Sequence, residues 1–123
     1  MKIVMTNERP VSWNKIYESR HWIFRKNLAS SVHRKVIRRL EEMGYRPLDK
    51  TKMFTKPVEI DVTAYFKNRP LDADNIGAKL YIDALKFICI MDDGPKYVRA
   101  VTTRSRVDSL NPRVEIEIKE IHV

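Results

Sequence analysis

Apolar residues recur along this chain at two spacings, and the wider one predicts a long helix. Over residues 19–43 the apolar positions stand four apart, which places their side chains on one face of an α-helix. These positions are Leu28, Val32, Val36 and Leu40, joined by Ala29 and Ile37 on the same side. Gly44 follows, and glycine is typical of the position just beyond a helix. The pattern therefore predicts an amphipathic helix that ends near Met43.

The narrower spacing predicts strands. Over residues 57–66 every second residue is apolar, so the apolar side chains share one face of a strand. Shorter stretches of the same kind predict strands at residues 2–5, 97–103 and 113–121. We expect the last two to form a strand pair, because residues 108–112 between them have the Asp, Ser, Asn and Pro of a turn. Residues 9–14 and 45–56 are interpreted as loops.

A second helix is predicted over residues 75–87, and it is apolar around most of its circumference. Such a helix is mostly buried. Its polar residues Asn75, Lys79 and Asp83 stand four apart and share one stripe, which Lys86 continues. The stripe is either the one solvent-facing edge of the helix or the wall of a site. Together the elements predict an α+β fold, with a small mixed β-sheet and helices packed on it.

Length and composition agree with one globular domain over residues 1–123. Of the 123 residues, 43% are hydrophobic and 33% are charged, which suits a single compact core with a charged surface. No apolar run approaches the roughly 20 residues of a membrane span, and the N-terminus lacks the pattern of a signal peptide. The single cysteine, Cys89, excludes an intrachain disulfide and lies in an apolar run, which indicates burial. We expect a cytoplasmic protein without membrane contact.

The net charge of +8 is concentrated in the first 56 residues, which hold 14 Lys and Arg against 5 Asp and Glu. The remaining residues hold 10 and 11. Such a basic surface attracts the phosphates of nucleic acid, although it also keeps a small domain soluble. We expect five basic residues, four of them on the long helix, to bind nucleic acid: Arg34, Lys35, Arg38, Arg39 and Arg69.

Carboxylates gather in the second half of the chain, where basic and acidic residues nearly balance. Asp72 and Asp74 stand two apart between a predicted strand and a predicted helix, so in extended chain both project to one side and can share Mg²⁺. The simpler alternative is a helix N-cap. Asp92 and Asp93 supply a third carboxylate or serve as turn residues. Three carboxylates around Mg²⁺ in a basic protein are typical of metal-dependent phosphodiester hydrolysis.

Four aromatic residues accompany the basic region, namely Trp13, Tyr17, Trp22 and Phe24. Aromatic rings beside basic residues can stack on bases. Most aromatic residues instead pack in a core or against a loop, and we expect packing for most of these four.

Two segments of the chain resemble the RusA-type Holliday-junction resolvases. Residues 72–75 (Asp-Ala-Asp-Asn), then Lys79, then residues 83–85 (Asp-Ala-Leu) and the pair 92–93 (Asp-Asp), are similar to that family's signature. Residues 10–17 are similar to its N-terminal Pro-x-Ser-x-Asn-x-x-Tyr segment. The length near 120 residues agrees as well, and the resemblance extends from residue 10 to the final strand.

The resemblance implies a homodimeric α+β endonuclease that binds four-way DNA junctions and cuts two opposed strands with Mg²⁺. It implies that Asp72, Asp74 and Asp93 are metal ligands and that Lys79 is the catalytic lysine. The sequence leaves open whether Asp83 assists metal binding, and the same holds for Asp92.

The chain departs from the family pattern at two places. Lys79 stands five residues after Asp74 instead of four, while its distance from Asp83 is kept, which indicates a one-residue insertion at the start of the helix. The glycine often found shortly after Asp-Ala-Leu is also missing, and residues 86–88 (Lys-Phe-Ile) stand there.

Two interpretations of the function remain open. One is a Mg²⁺-dependent, structure-selective DNA endonuclease, which the full spaced set of carboxylates and lysine favours. The other is a non-catalytic, basic nucleic-acid-binding protein whose aspartates cap a helix and fill turns. A four-way junction has two equivalent strands to cut and one chain has a single carboxylate cluster, so the first interpretation predicts a twofold dimer.

Overall fold

The computed structural model describes residues 1–18 and 22–121, which form a single small α+β domain. The strands, in chain order, are β1 (Lys2–Thr6), β2 (Val58–Phe66), β3 (Val98–Val107) and β4 (Arg113–Glu120). The helices are α1 (Trp13–Glu18), α2 (Trp22–Glu42) and α3 (Ala78–Leu85). A 3-10 turn over Ala73–Asn75 precedes α3. None of the helices in the described ranges has the length and apolar character needed to cross a membrane.

The four strands form one mixed sheet in the order β1-β4-β2-β3. β4 is antiparallel to both β1 and β2, whereas β3 is parallel to β2. The predicted small mixed sheet is confirmed, but the predicted pairing of the last two strands is wrong, because β2 lies between them. The burial of the strands explains this order. The apolar face of β2 is buried along its whole length, while most of β3 is exposed, so β2 is central and β3 is an edge strand.

The hydrophobic core lies between one face of the sheet and the helices. The helix α2 contributes Val32, Val36 and Leu40, as its four-residue spacing predicted, and α3 contributes Tyr81 and Leu85. The opposite face of the sheet is polar, since side chains alternate along each strand. On that face Asp61 of β2 pairs with two basic residues of the neighbouring strands, at 3.3 Å and 2.8 Å.

The helix α2 ends at Glu42, and Gly44 beyond it has the left-handed φ of 91° that favours glycine at such a position. This agrees with the predicted end near Met43, while the predicted start at residue 19 lies outside the described residues. Residues 22–27 are exposed, and burial of the apolar stripe is complete only from Val32. The first half of α2 therefore contributes little to the core.

The helix α1 was not predicted; its first two residues, Trp13 and Asn14, fall in the predicted loop of residues 9–14, and the rest lies between that loop and the predicted long helix. The backbone N–H of Lys15 donates to Ser12 Oγ at 3.0 Å, which is the hydrogen bond of a helix N-cap. Only Ile16 of this six-residue helix is buried. A helix this short has no apolar periodicity, so the pattern of apolar residues missed it.

The helix α3 is shorter than the predicted range of residues 75–87. Before it, the chain forms the 3-10 turn, and Ile76 pairs with Ser12 in an isolated bridge. After it, Lys86 is extended and Phe87 is left-handed, with φ of 64°. Both ends of the helix are therefore limited by tertiary contacts or backbone geometry that the periodicity does not report.

Gly77 lets the segment before α1 approach the start of α3 closely. Its N–H donates to the carbonyl oxygen of Val11 at 2.8 Å. A Cβ atom at this position would lie 2.7 Å from that oxygen and 2.8 Å from Ile16 Cδ1. Real Cβ atoms do not come this close to a backbone oxygen, so the contact requires glycine.

We expect the substitution Gly77→Ala to lower the free energy of unfolding by about 2 kcal/mol, because the added methyl group overpacks this contact. Urea denaturation measures the change. Gly94→Ala is the matched control, since a Cβ atom there meets nothing within 4 Å, and it should stay within about 0.5 kcal/mol of the wild type. Equal effects at both positions would contradict the close approach.

Candidate active site

The four residues predicted to be catalytic, Asp72, Asp74, Lys79 and Asp93, all lie in the connection between β2 and β3. Parallel neighbours cannot be joined by a tight turn, so the chain crosses over the sheet and forms α3 on the way. The two aspartates at 72 and 74 follow the carboxyl end of β2. In open sheets with parallel strands this is the end where ligands bind.

Residues 71–75, here called the acid turn, are fixed to β3. The N–H of Asn75 donates to the carbonyl oxygen of Asp72 at 2.9 Å and closes the 3-10 turn. Thr103 Oγ1 and Ser105 Oγ of β3 donate to two backbone carbonyl oxygens of the acid turn, at 2.7 Å and 2.6 Å. Asp74 is thus in a turn and not in the extended chain that was predicted. Its position depends on hydroxyl groups of the neighbouring strand.

The helix-cap role that the simpler alternative gave to these aspartates is not found. Asp72 precedes the 3-10 turn but makes no side-chain capping hydrogen bond, and the residue that precedes α3 is Gly77. Both Asp72 and Asp74 are exposed. Within residues 1–18 and 22–121 neither carboxylate forms a salt bridge with a basic side chain. The described part of the chain therefore leaves both carboxylates available for a ligand.

The segment of residues 10–17 lies against the acid turn. The backbone N–H of Asn14 donates to Asn75 Oδ1 at 3.1 Å, across 61 residues of sequence. The bridge from Ser12 and the hydrogen bond to Gly77 continue the same contact. The two segments that carried the resemblance are therefore adjacent in space.

A pocket of about 550 Å³ opens between α1 and the acid turn, and we call it the carboxylate pocket. Its lining residues are Trp13, Asn14, Tyr17, Asp72, Asp74 and Asn75. The rings of Trp13 and Tyr17 are stacked, with centroids 5.4 Å apart and planes 17° from parallel. The structure thus brings two of the three predicted metal ligands to one pocket, beside an aromatic pair.

The other two predicted residues line a neighbouring pocket of about 340 Å³, and we call it the lysine pocket. Lys79 and Asp93 contribute its polar groups, with Val101 and Thr103 of β3 at another side. Trp13 lines both pockets, so the two halves of the predicted site are adjacent and share this residue.

Lys86 is the residue of this region that sequence reasoning missed, apart from its place on the polar stripe. Its ammonium group lies 3.3 Å from a carboxylate oxygen of Asp93, 3.7 Å from one of Asp83 and 4.0 Å from one of Asp92. Asp83 also pairs with Lys79 at 3.3 Å. Lys86 therefore neutralises part of the charge of these three acids, and their proximity does not require a metal ion.

The ion pairs of Lys86 shift the titration of both partners. Burial acts to raise the pKa of the Asp93 carboxyl, but the hydrogen bond and charge of Lys86 outweigh it, so this pKa lies below its usual value. Burial acts to lower the pKa of Lys86, but Asp93 and the other two acids outweigh it and raise this pKa. Both groups are therefore charged at neutral pH.

Across residues 1–18 and 22–121, no three His, Cys, Asp or Glu side chains form a group that could hold a metal ion. Asp72 and Asp74 line the carboxylate pocket, while Asp93 lines the lysine pocket and pairs with Lys86. Two carboxylates with exposed oxygens suit a hard cation such as Mg²⁺, which binds through one or two carboxylates and keeps several waters. The three-carboxylate Mg²⁺ site stays a prediction.

The predicted nucleic-acid-binding residues of α2 divide into two kinds. Lys35 pairs with the buried carboxylate of Glu8 at 3.4 Å, and Arg39 donates to a carbonyl oxygen of β1 at 3.1 Å. These two residues therefore help to hold α2 against the sheet. Arg34 and Arg38 are exposed and, in the part of the chain that the structure describes, form no salt bridge, so of the four predicted residues of α2 they are the two whose charge is open to a phosphate.

Arg69 lies in the loop between β2 and the acid turn, where it is exposed and left-handed, with φ of 48°. Its carbonyl oxygen accepts a hydrogen bond from Arg9 at 3.1 Å. Two arginines thus stand together near the acid turn, and the sequence had indicated only the second.

The aromatic residues near the basic region are largely exposed. The exposed fraction is 71% for Tyr17, 64% for Trp22 and 44% for Phe24. Three of the four are therefore exposed, so the expectation that most of them pack in the core or against a loop is wrong, although Trp13 is half-buried. Cys89, in contrast, is fully buried as predicted, and burial raises the pKa of its thiol to about 12.

Phe87 holds an unusual backbone conformation beside the acids. Its φ of 64° is left-handed, which costs most residues roughly 1–2 kcal/mol. Its N–H donates to the carbonyl oxygen of Ile90 and its own carbonyl oxygen accepts from Leu48, both at 2.6 Å. Phe87 is the middle residue of the Lys-Phe-Ile stretch, which stands where the resemblance leads one to expect glycine.

Comparison of the chain with models of known protein families, with curated proteins and with solved structures found no match. The resemblance to the junction resolvases therefore stays a prediction, carried by the residues named above.

At position 87 we expect glycine to give a more stable protein than alanine by about 1 kcal/mol, because only glycine adopts the left-handed conformation without strain. Both variants lack the phenyl ring, so their difference isolates the backbone. At the exposed loop residue Lys50, whose φ is not positive, the order should reverse, with alanine more stable than glycine by about 0.5 kcal/mol. Thermal or urea unfolding of the four variants decides, and the same order at both positions would be evidence against strain at Phe87.

Proposed function

We propose that this protein is a Mg²⁺-dependent, structure-selective endonuclease that cuts four-way DNA junctions and works as a homodimer. One observation carries the proposal. The two segments that resemble the RusA-type resolvases are about 60 residues apart in sequence, yet they meet through the contacts of Val11 with Gly77 and of Asn14 with Asn75. Motifs that jointly form one surface are better support than the same motifs scattered over the fold.

The residues of the N-terminal motif each have a place in that surface. Ser12 caps α1, the backbone of Asn14 is tied to the asparagine of the Asp-x-Asp-Asn motif, and Tyr17 lines the carboxylate pocket. The left-handed backbone at Phe87 gives further support, since a chain that keeps this conformation without glycine retains the geometry that glycine usually serves.

In this proposal Asp72 and Asp74 hold Mg²⁺ in the carboxylate pocket. The ion, when bound, supplies polarisation of the phosphoryl oxygen and lowers the pKa of an attacking water. Lys79, in the adjoining lysine pocket, offsets negative charge that develops on the phosphate. Asp93 joins as third ligand only if its carboxylate leaves Lys86. The exposed Arg34 and Arg38 bind the DNA backbone on α2, outside the two pockets.

A non-catalytic nucleic-acid-binding protein remains the second candidate, and the ion pairs of Lys86 favour it. Asp93, Asp83 and Asp92 have a basic partner in the chain itself, so these acids have a structural role that needs no metal ion. The two candidates differ in whether a junction is cut when Mg²⁺ is added.

We expect Asp74→Asn to reduce cleavage of a synthetic four-way junction at least a hundredfold while junction binding stays equal or becomes tighter. Asparagine keeps the size of the side chain but removes a metal-binding charge, and it also removes repulsion of DNA phosphates. Gel assays with and without Mg²⁺ measure cleavage, and band shifts in a chelator measure binding. Asp49→Asn, in the loop between α2 and β2, makes the same charge change and should cut normally.

The results separate the candidates. If Asp74→Asn cut the junction at the wild-type rate, the assignment of Asp74 to the metal site would be wrong. A wild-type protein that binds the junction but never cuts it in Mg²⁺ would favour the non-catalytic protein.

We expect the double variant Arg34→Ala, Arg38→Ala to bind DNA with a flatter salt dependence. Each lost phosphate contact should reduce the slope of log affinity against log salt concentration by about 1. Lys50→Ala with Arg106→Ala removes the same charge outside α2 and is the control. Fluorescence anisotropy across a salt series measures both slopes, and equal slopes would mean that this face of α2 is only a solvated surface.

A further inference from the structure

We propose that Trp13 and Tyr17 form a stacking platform for an unpaired DNA base at the mouth of the carboxylate pocket. This inference rests on the proposed function, and it names a second part of the substrate that the same site holds besides the phosphate. It assigns a binding role to an aromatic pair whose outer ring, Tyr17, is exposed and not packed in the core.

The geometry of the pair is that of a prepared surface. Tyr17 follows Trp13 by one turn of α1, and their planes lie 17° from parallel at a centroid distance of 5.4 Å. Stacking on Trp13 restricts the orientation of the tyrosine ring, yet 71% of Tyr17 is exposed. A ring that is already oriented loses little side-chain freedom when a flat ligand lies on it.

Tyr17 has no comparable role in holding the fold together, while Trp13 is half-buried and lines the lysine pocket beside Ala78 and Ile82. Of the residues of α1 only Ile16 is buried, and Ile16 is the residue that contacts the start of α3 near Gly77. The anchoring of α1 therefore depends on Ile16, on the cap at Ser12 and on the hydrogen bond from Asn14. Tyr17 therefore presents an aromatic face that the packing of α1 does not use.

The lining of the pocket favours a nucleobase over an apolar partner. Tyr17 shares the pocket with the carboxylates of Asp72 and Asp74 and with two asparagines. A protein or lipid surface laid on the rings would bury those carboxylates without partners, which is costly. A nucleotide instead offers amino and imino donors to the amides and carboxylates, and the pocket of about 550 Å³ has the size of a ligand site.

The base has to be unpaired. Inside a duplex the faces of the bases are covered by their neighbours, and only their edges and the phosphates can be reached. At a branch point a base can leave the stack, as it does in enzymes that act on extruded bases, and its face becomes free for an aromatic ring. A platform beside the carboxylates would therefore favour branched DNA over linear duplex at the site itself.

The test measures DNA binding by the full-length protein in a chelator, with a four-way junction that has 2-aminopurine at the branch point and a linear duplex of the same sequence. We expect Tyr17→Ala to weaken junction binding about tenfold and duplex binding less than twofold, since base stacking contributes on this scale. Tyr17→Phe keeps the ring and should bind as the wild type does. Wild-type protein and Tyr17→Phe should quench the 2-aminopurine fluorescence, and Tyr17→Ala should not.

Several outcomes would overturn the platform. One is that Tyr17→Ala loses as much affinity for the duplex as for the junction, and another is that this variant still quenches the 2-aminopurine. A third is that the wild type binds the junction no more tightly than the duplex. A shift of Tyr17→Ala from dimer to monomer in sedimentation, with unchanged DNA contacts, would show instead that the ring joins two copies of the chain. Trp22→Ala removes an equally exposed ring from the start of α2 and should leave the quenching intact.

Cleavage is not measured in this test, so the platform and the endonuclease are judged separately. A protein that quenches the probe but never cuts a junction in Mg²⁺ keeps the platform and loses the proposed catalytic function. A protein that cuts junctions without quenching keeps the function and loses the platform.

Discussion

The parallel pairing of β2 with β3 is the constraint on which the candidate site depends. Because parallel neighbours need a crossover, residues 67–97 must pass over one face of the sheet before β3 begins. The crossover can be stable only if it buries apolar surface, and α3 does so against the sheet and α2. The polar residues of the connection are therefore confined to its two ends and to one stripe of α3. The acid turn and the acids around Lys86 stand at those ends.

Two further contacts turn this connection into a site. The acid turn accepts hydrogen bonds from two hydroxyl groups of β3. The segment before α1 packs against the start of α3, where Gly77 has no side chain to keep it away. The acids of the connection also differ in whether a basic residue neutralises them. Lys86 balances the acids at the end of α3, while Asp72 and Asp74 have no such partner among the described residues. The two pockets that share Trp13 therefore differ in charge. One has the carboxylates of Asp72 and Asp74, which have no basic partner among the described residues, and the other has Asp93 paired with Lys86.

The elements that the sequence predicted well are those whose own burial decides their conformation. β2 and α2 each have a regular apolar face, and both were found where the periodicity of that face indicated. The short helix α1 escaped prediction because its stability comes from the Ser12 cap and from contacts to α3, which periodicity does not record. The pairing of β3 with β2 escaped because a turn between two strands is compatible with their being neighbours but does not require it.

The candidate site shows the same division. The spacing of Asp72 and Asp74 predicted that both carboxylates face one place, and both do line one pocket, although through a 3-10 turn and not through the extended chain that was expected. No spacing could have indicated that Lys79 lines a different pocket from the two aspartates, or that Lys86 pairs with Asp93. Likewise, the cluster of basic residues on α2 is visible in the sequence. Only the folded chain shows that Lys35 and Arg39 are occupied by a buried glutamate and a strand carbonyl.

The hydrogen bond from Asn14 to Asn75 also makes the carboxylate pocket depend on a long-range contact. It joins residues 61 apart, so its loop must close before the carboxylate pocket has a second wall. During synthesis α1 leaves the ribosome long before the acid turn exists, and it then has nothing to rest on, since a six-residue helix is unstable alone. The aromatic pair and the carboxylates therefore share a pocket only while this long loop is closed. Any opening of the N-terminal segment away from the acid turn removes one wall of the pocket.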